Sequence, residues 1–431
     1  MRRDSRLTLA FLAALLWLLL LTGCAQPPEA PAASTPAAAD VAAVEPCLAS
    51  ASWITAPHPP EEIGNGTPVA EQTNCQFYQF AWQWFLDLVQ PESSGSDERV
   101  FETLPILVPH QKNQCASTAP TGKAATTLGL FVRTTKGDTE PFSFILPGEV
   151  TQAGDGDLLY DQDGNVVFYN VRYDPTECQA TSSGFLPGTM ELKTSWRQIT
   201  AADTDRYYSI EATVESVGKD PILLGLVGFH LVRNTPTHPE FVWATFEHRD
   251  NVPDCEHPQT PPASGWSFTS AECAQCLAEN GISGCGHCKF NQATPNTGLT
   301  GAADEICRVF SDGTGPDETS NNVKNHANID ALNRQLVGKD GFLTKLGPDD
   351  PMSIWKNYIN VGGLWTNGGT ASSPASNQRG SLNLANTTME TFLQSTTNCF
   401  SCHDYDPSTP LNVSHIVSEL IDTTGDSGGS E

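Results

Sequence analysis

Apolar side chains between residues 73 and 90 fall at Phe77, Phe80, Ala81, Trp84, Phe85 and Leu88, the i, i+3, i+4, i+7, i+8, i+11 series of one helical stripe. Thr73 or Asn74 can cap that helix, which stops before Pro91. From about residue 126 the period changes to two. Leu128 to Thr134, Phe142 to Leu146 and Val166 to Tyr173 read as short strands, with an Asp163-Gly164 turn before the third. Between residues 206 and 215, Tyr208, Ile210, Ala212 and Val214 share one face, and Ser209, Glu211 and Thr213 the other. Ile222 to Val232 is nearly all apolar and suits a strand buried on both faces. Phe241 to His248 is the next strand, with a short helix as the alternative. Strands separated by Gly, Pro and Asp turns predict a β-sandwich. Helical periodicity resumes over Val323 to Leu336 and Ile354 to Val361, where Gly362-Gly363 ends it. Thr387 as N-cap with Glu390 at N3 reads as a capping box for a short helix carrying Met389, Phe392 and Leu393 on one face. Val413 to Ile421 is a short helical pattern.

These elements define an α+β chain. Residues 1–23 read as a signal peptide: Arg2, Arg3 and Arg6 precede an apolar run, Leu7 to Leu21, that is too short to span a membrane. Residues 24–46 are an Ala- and Pro-rich tether that cannot bury a core. A β-rich domain with its N-terminal helix follows at 47–265, a cysteine-rich segment at 266–310, and a mainly α-helical segment at 323–421. Residues 311–322 form a linker or long loop, 367–381 are loop-like, and 422–431 are a disordered tail. Leu21-Thr22-Gly23-Cys24 resembles the lipobox of bacterial lipoproteins, in which the cysteine is acylated. Ala25 stands where Asp would mark inner-membrane retention, so the resemblance implies an outer-membrane lipoprotein held by several acyl chains, facing the periplasm or the cell surface.

Charge narrows the partners. The formal charge is −27, and near −29 without residues 1–23, which carry three Arg and one Asp. Such a surface argues against nucleic acid and favours docking of a basic redox protein, simple solubility being the other reading. Thirteen cysteines in an exported chain point to an oxidising compartment.

The strongest chemical signal is Cys399-Phe400-Ser401-Cys402-His403. This is the spacing for covalent attachment of a c-type haem, and chance would supply roughly 0.01 such motifs in a chain of this composition. Two thiols one helical turn apart can form thioethers to two vinyl groups of one porphyrin, and the adjacent imidazole is then the proximal iron ligand. One covalent haem c is therefore expected at Cys399, Cys402 and His403. No methionine follows His403, so the distal ligand is open, with Met389, His326 and His415 as candidates. With Cys24 assigned to lipid and two cysteines to haem, ten remain, an even number that suits a disulfide framework. Within it, Cys273-x-x-Cys276 and Cys285-x-x-Cys288 are open to disulfides or to a four-thiolate metal site.

Other groupings carry less. Asp155, Asp157, Asp161 and Asp163 resemble a calcium loop, but Val166 and Arg172 stand where glycine and the bidentate Glu belong, so hairpin turns are the better reading. His230, His238, His248 and His257 could hold copper or zinc, but no short ligand spacing supports that over structural histidines. Asp87, Glu211 and Glu247 offer no acid–base pairing.

Residues 80–85 (FAWQWF), 190–197 (MELKTSWR), 239–248 (PEFVWATFEH) and 384–391 (LANTTMET) are similar to segments of a group of exported bacterial proteins described as cytochrome c family. The resemblance implies a single-haem protein with a large non-haem domain, and carries over only the three haem residues. Its expected function is one-electron transfer at the cell envelope. The rival expectations are a haem enzyme such as a peroxidase with an open iron position, and a binding or sensor lipoprotein with accessory haem.

Overall fold

Thr73, one of the two expected N-caps, caps the first long helix through a capping box with Gln76. The computed structural model describes residues 46–107, 113–116, 157–212, 220–295, 298–315 and 319–421. The expected signal peptide with Cys24, the expected tether up to residue 45, the strands expected at 128–134 and 142–146, Asp155, Val214 and residues 422–431 lie outside the described residues.

Six helices concern the argument: α1 (Ser52–Thr55), α2 (Asn74–Val89), α3 (Ala271–Gly284), α4 (Ser320–Val337), α5 (Cys399–Cys402) and α6 (Val417–Leu420). The strands are β1 (Phe168–Tyr173), β2 (Met190–Gln198), β3 (Ser209–Ala212), β4 (Ile222–Thr235), β5 (His238–His248), β6 (Tyr358–Thr366) and β7 (Gln378–Gly380). All seven belong to one antiparallel sheet in the order β1-β2-β4-β5-β6-β7, with β3 paired to β4 beside β5. Among the described residues the strands therefore form a single sheet, where the alternation pointed to two packed as a sandwich. The second layer is supplied by helices and loops.

Period-two alternation explains the two faces. Leu192, Phe229, Leu231, Val242 and Phe246 point to the side of α2 and join Phe77, Phe80, Trp82 and Phe85 in the main core. Phe85 stacks on Phe246 at 4.0 Å and 10°, while Trp82 meets Phe246 edge-on. On the other face Val232, Trp243 and Leu364 pack against Leu384, Phe400, Tyr405 and Val413, all from the C-terminal segment. Both sides of β4 are thus covered, as its apolar run requires.

The segment at 323–421 departs from its expected helical character. Residues Ser353–Asn357 make a 3-10 turn and the chain then enters β6. Gly362 and Gly363 do not end an element. They lie inside the strand, where a Cβ on Gly362, whose φ is +144°, would come within 2.6 Å of Leu384 and Ser381. Lacking one, the strand lets residues 381–384 cross it closely, and Ser381 N–H donates to the Gly363 carbonyl at 2.7 Å. The capping box expected at Thr387 does not form. Asn386 N–H donates to Glu390 at 2.8 Å, whereas Thr387 N–H donates to the buried Glu247 at 2.7 Å. Residues 387–396 form successive turns, and α5 and α6 are four residues each.

Five disulfides close the framework: Cys47–Cys75, Cys115–Cys178, Cys255–Cys307, Cys273–Cys288 and Cys276–Cys285. The last two nest around α3, so the thiols expected for a disulfide or a metal site are paired with one another.

Candidate functional site

A partly open pocket lies between the sheet face and the C-terminal segment. Strands β1, β2, β4 and β5 contribute Val171, Glu191, Lys193, His230, Val232 and Trp243 to its wall. The facing wall carries Leu393, Cys399, Cys402, His403 and His415.

Asn398 starts α5, its side chain accepting the Ser401 N–H at 3.2 Å, and this one-turn helix sets Cys399 and Cys402 on the same side. They are the two described cysteines outside the disulfides. Burial, with the Glu390 carboxylate nearby, pushes the Cys399 thiol well above its ordinary range. A redox-active dithiol needs the opposite shift, toward thiolate.

His403 ends that turn. Its Nδ1–H donates to the Val413 carbonyl at 3.0 Å, which fixes the tautomer and leaves Nε2 as the basic nitrogen. Burial first, then the nearby His415 and Lys193, hold its pKa well below the usual histidine value, so the ring is neutral. Neutral imidazole with one nitrogen anchored on a carbonyl is the form that ligates a metal. Trp243 lies 4.4 Å from the His403 ring. The chain reaches Trp243 through Phe241, whose φ of +65° is unusual for an aromatic residue, and Trp243 Nε1–H donates back to the Glu240 carbonyl at 3.1 Å.

The distal candidates separate. His415 stacks on His403 at 3.9 Å and 18°, and its Nε2–H donates to the Cys402 carbonyl at 2.8 Å. Met389 is fully buried in a second core cluster with Tyr169, Ile416 and Leu420, and does not line the cavity. His326 is exposed on α4, bonded to Asp312 at 2.5 Å, and lines a different cleft with His257. His230 does line the cavity, with Nε2 at 3.1 Å from Glu390. Burial raises the Glu390 pKa, but His230, the Asn386 N–H and Lys193 outweigh that and hold it below the usual range. His230, Lys193 and Glu390 are the cavity residues that spacing alone missed. A polar residue at an alternating position inside the apolar run 222–232 was the available signal for His230.

The remaining groupings do not converge on a metal. His238 sits between Glu240 and Gln72, and His248 between the Arg206 carbonyl and the Asp250 N–H. Asp161 accepts from the Asp163 and Asn165 N–H groups and pairs with Arg197, a turn and not a calcium loop. Cys273, His287 and Cys288 lie close together, but the two sulfurs are bonded to each other.

No protein-family model matches the chain, and no curated protein or solved structure shows a significant match to it.

Proposed function

We propose that this chain is a membrane-anchored c-type cytochrome that carries one covalent haem and transfers single electrons at the bacterial cell envelope. One observation carries the reading. Twelve cysteines are described, ten are consumed in five disulfides, and the remaining two are those of Cys399-x-x-Cys402-His403 on a cavity wall. Cys399 and Cys402 would hold the porphyrin, each adding its S–H across one vinyl group, and His403 would offer Nε2 to the iron. When bound, haem supplies a one-electron Fe(III)/Fe(II) couple. The chain's own contribution is to keep the site apolar and its ligand fixed. Val232, Trp243, Leu384 and Leu393 give the pocket apolar lining, and the Val413 carbonyl orients the ring.

The resemblance to cytochrome c family proteins supports the same reading. A lipid on Cys24 would anchor the chain to the outer membrane, and the acidic surface would attract a basic redox partner. Among the described residues no helix is long and apolar enough to cross a membrane. A peroxidase is the second reading, because His230 with Glu390 could handle the proton of a bound peroxide. A visible spectrum with a potential titration decides between them. A reversible one-electron wave with a low-spin spectrum in both oxidation states supports the carrier, and a high-spin iron that reacts rapidly with peroxide supports the enzyme.

A further inference from the structure

We propose that His230 is the second axial ligand of the iron, held in place by Glu390; this rests on the haem reading of the cavity. Geometry eliminates the other candidates. Two axial imidazoles must aim their nitrogens at one metal from opposite sides, with metal–nitrogen bonds of about 2 Å. Rings stacked face to face, as His403 and His415 are at 3.9 Å and 18°, cannot do this. The donation from His415 Nε2–H to the Cys402 carbonyl ties it to the proximal turn as well. Met389 and His326 do not reach the cavity. Among the described residues no methionine lines it.

His230 stands on β4, an interior strand bonded through β2 on one edge and β5 on the other, so its backbone is fixed. Its chain neighbours Phe229 and Leu231 point into the aromatic core, and alternation turns His230 to the cavity. Thus one imidazole comes from the sheet wall and the other, His403, from the C-terminal wall.

Metal-bound histidines are commonly oriented by a carboxylate. Glu390 lies 3.1 Å from His230 and is itself held by the Asn386 N–H at 2.8 Å. The stretch that carries the attachment cysteines therefore also carries the group that steadies the second ligand. Lys193, the cross-strand neighbour of His230, is the competing donor.

The test uses the full chain produced with cytochrome c maturation factors. Wild-type protein is expected to be low-spin when oxidised and reduced, with the near-infrared magnetic circular dichroism band of bis-imidazole ligation. The His230→Ala variant should keep its haem on a denaturing, haem-stained gel, turn high-spin, and return to low-spin on adding free imidazole. His415→Ala should stay low-spin. A low-spin His230→Ala protein, a high-spin wild type, or a near-infrared band of lysine or methionine ligation would each overturn the proposal while leaving the attached haem intact. Should His230→Ala fail to fold, the wild-type band decides alone. Wild-type protein without covalent haem would refute the cofactor reading, and the ligand assignment with it.

Discussion

Glu247 shows how much a single side chain governs at the residue scale. It is fully buried on β5, paired with Arg308 at 2.8 Å, and it accepts the Thr387 N–H and hydroxyl. Arg308 in turn reaches Asp254 at 3.0 Å. Removing one member of a buried pair leaves an uncompensated charge, so Glu247→Ala is expected to cost about 3–5 kcal/mol in urea unfolding. A loss below about 1 kcal/mol would show that the pair is not the tie between the sheet and residues 386–390. His248, the next residue, is fully buried and neutral. Its Nδ1 accepts and its Nε2–H donates, and burial, opposed only by the Arg206 carbonyl, lowers its pKa from 6.5 to about 3. The unfolded chain takes up this proton below pH 6.5 and the folded chain does not, so the stability it contributes is complete above that pH and falls as pH drops toward 3. Asp304, raised by burial to about 6, works in the opposite direction, since folding favours its protonated form. The comparison is therefore wild type against His248→Gln. Between pH 6.5 and 4 wild type should lose about 3 kcal/mol more than the variant. Equal losses would mean that His248 protonates in the native state.

Elements were legible where a single local signal decided them. The stripe of α2 fixes its buried face by spacing alone, and Thr73 and Pro91 bracket it. The strands β1, β3, β4 and β5 follow from alternation and apolar content, whereas β2 was not read as a strand. The strand β6 was hidden because Ile354 to Val361 satisfies a helical period, and because Gly-Gly reads as a terminator when nothing shows that another segment must cross there. The capping box at Thr387 failed for a similar reason: a tertiary acceptor, Glu247, outbid the local one. Close approach also governs β7. Gly380 has φ +89°, and a Cβ there would lie 2.4 Å from the Gly363 carbonyl oxygen. Gly380→Ala should therefore lower Tm by about 1–4 °C, an effect of roughly 1–3 kcal/mol in a chain of this size. Hydrogen exchange should show the loss concentrated in β6 and β7. An unchanged Tm would contradict the packing described for this edge.

On the scale of the whole molecule, the sequence marked the attachment motif but not its surroundings. Cys399, Cys402 and His403 are adjacent in the chain, so spacing alone identifies them. His230 is separated from Glu390 by 160 residues, and only the sheet and the turns at 387–396 bring them together. The even count of the ten remaining cysteines indicated disulfides but could not say who pairs with whom, because pairing depends on tertiary contact. The same limit applied to Met389, whose place in the helical pattern gave no hint that it belongs to the second core cluster. The lipobox-like sequence makes a separate prediction at this scale. Wild-type protein should partition into detergent with an acylated Cys24, and Cys24→Ala should release it or stall its processing. A soluble protein with Cys24 unmodified by mass spectrometry would exclude the anchor.

The central claim is covalent haem at the C-terminal motif, and peptide mass spectrometry of the protein matured in the cell envelope tests it most directly. The expected result is one peptide spanning Cys399 to His403 that carries a single haem and has no thiol available for alkylation, with the other peptides joined by the five disulfides. A peptide whose Cys399 and Cys402 both alkylate, or join each other as a disulfide, with no haem anywhere in the chain, would contradict it.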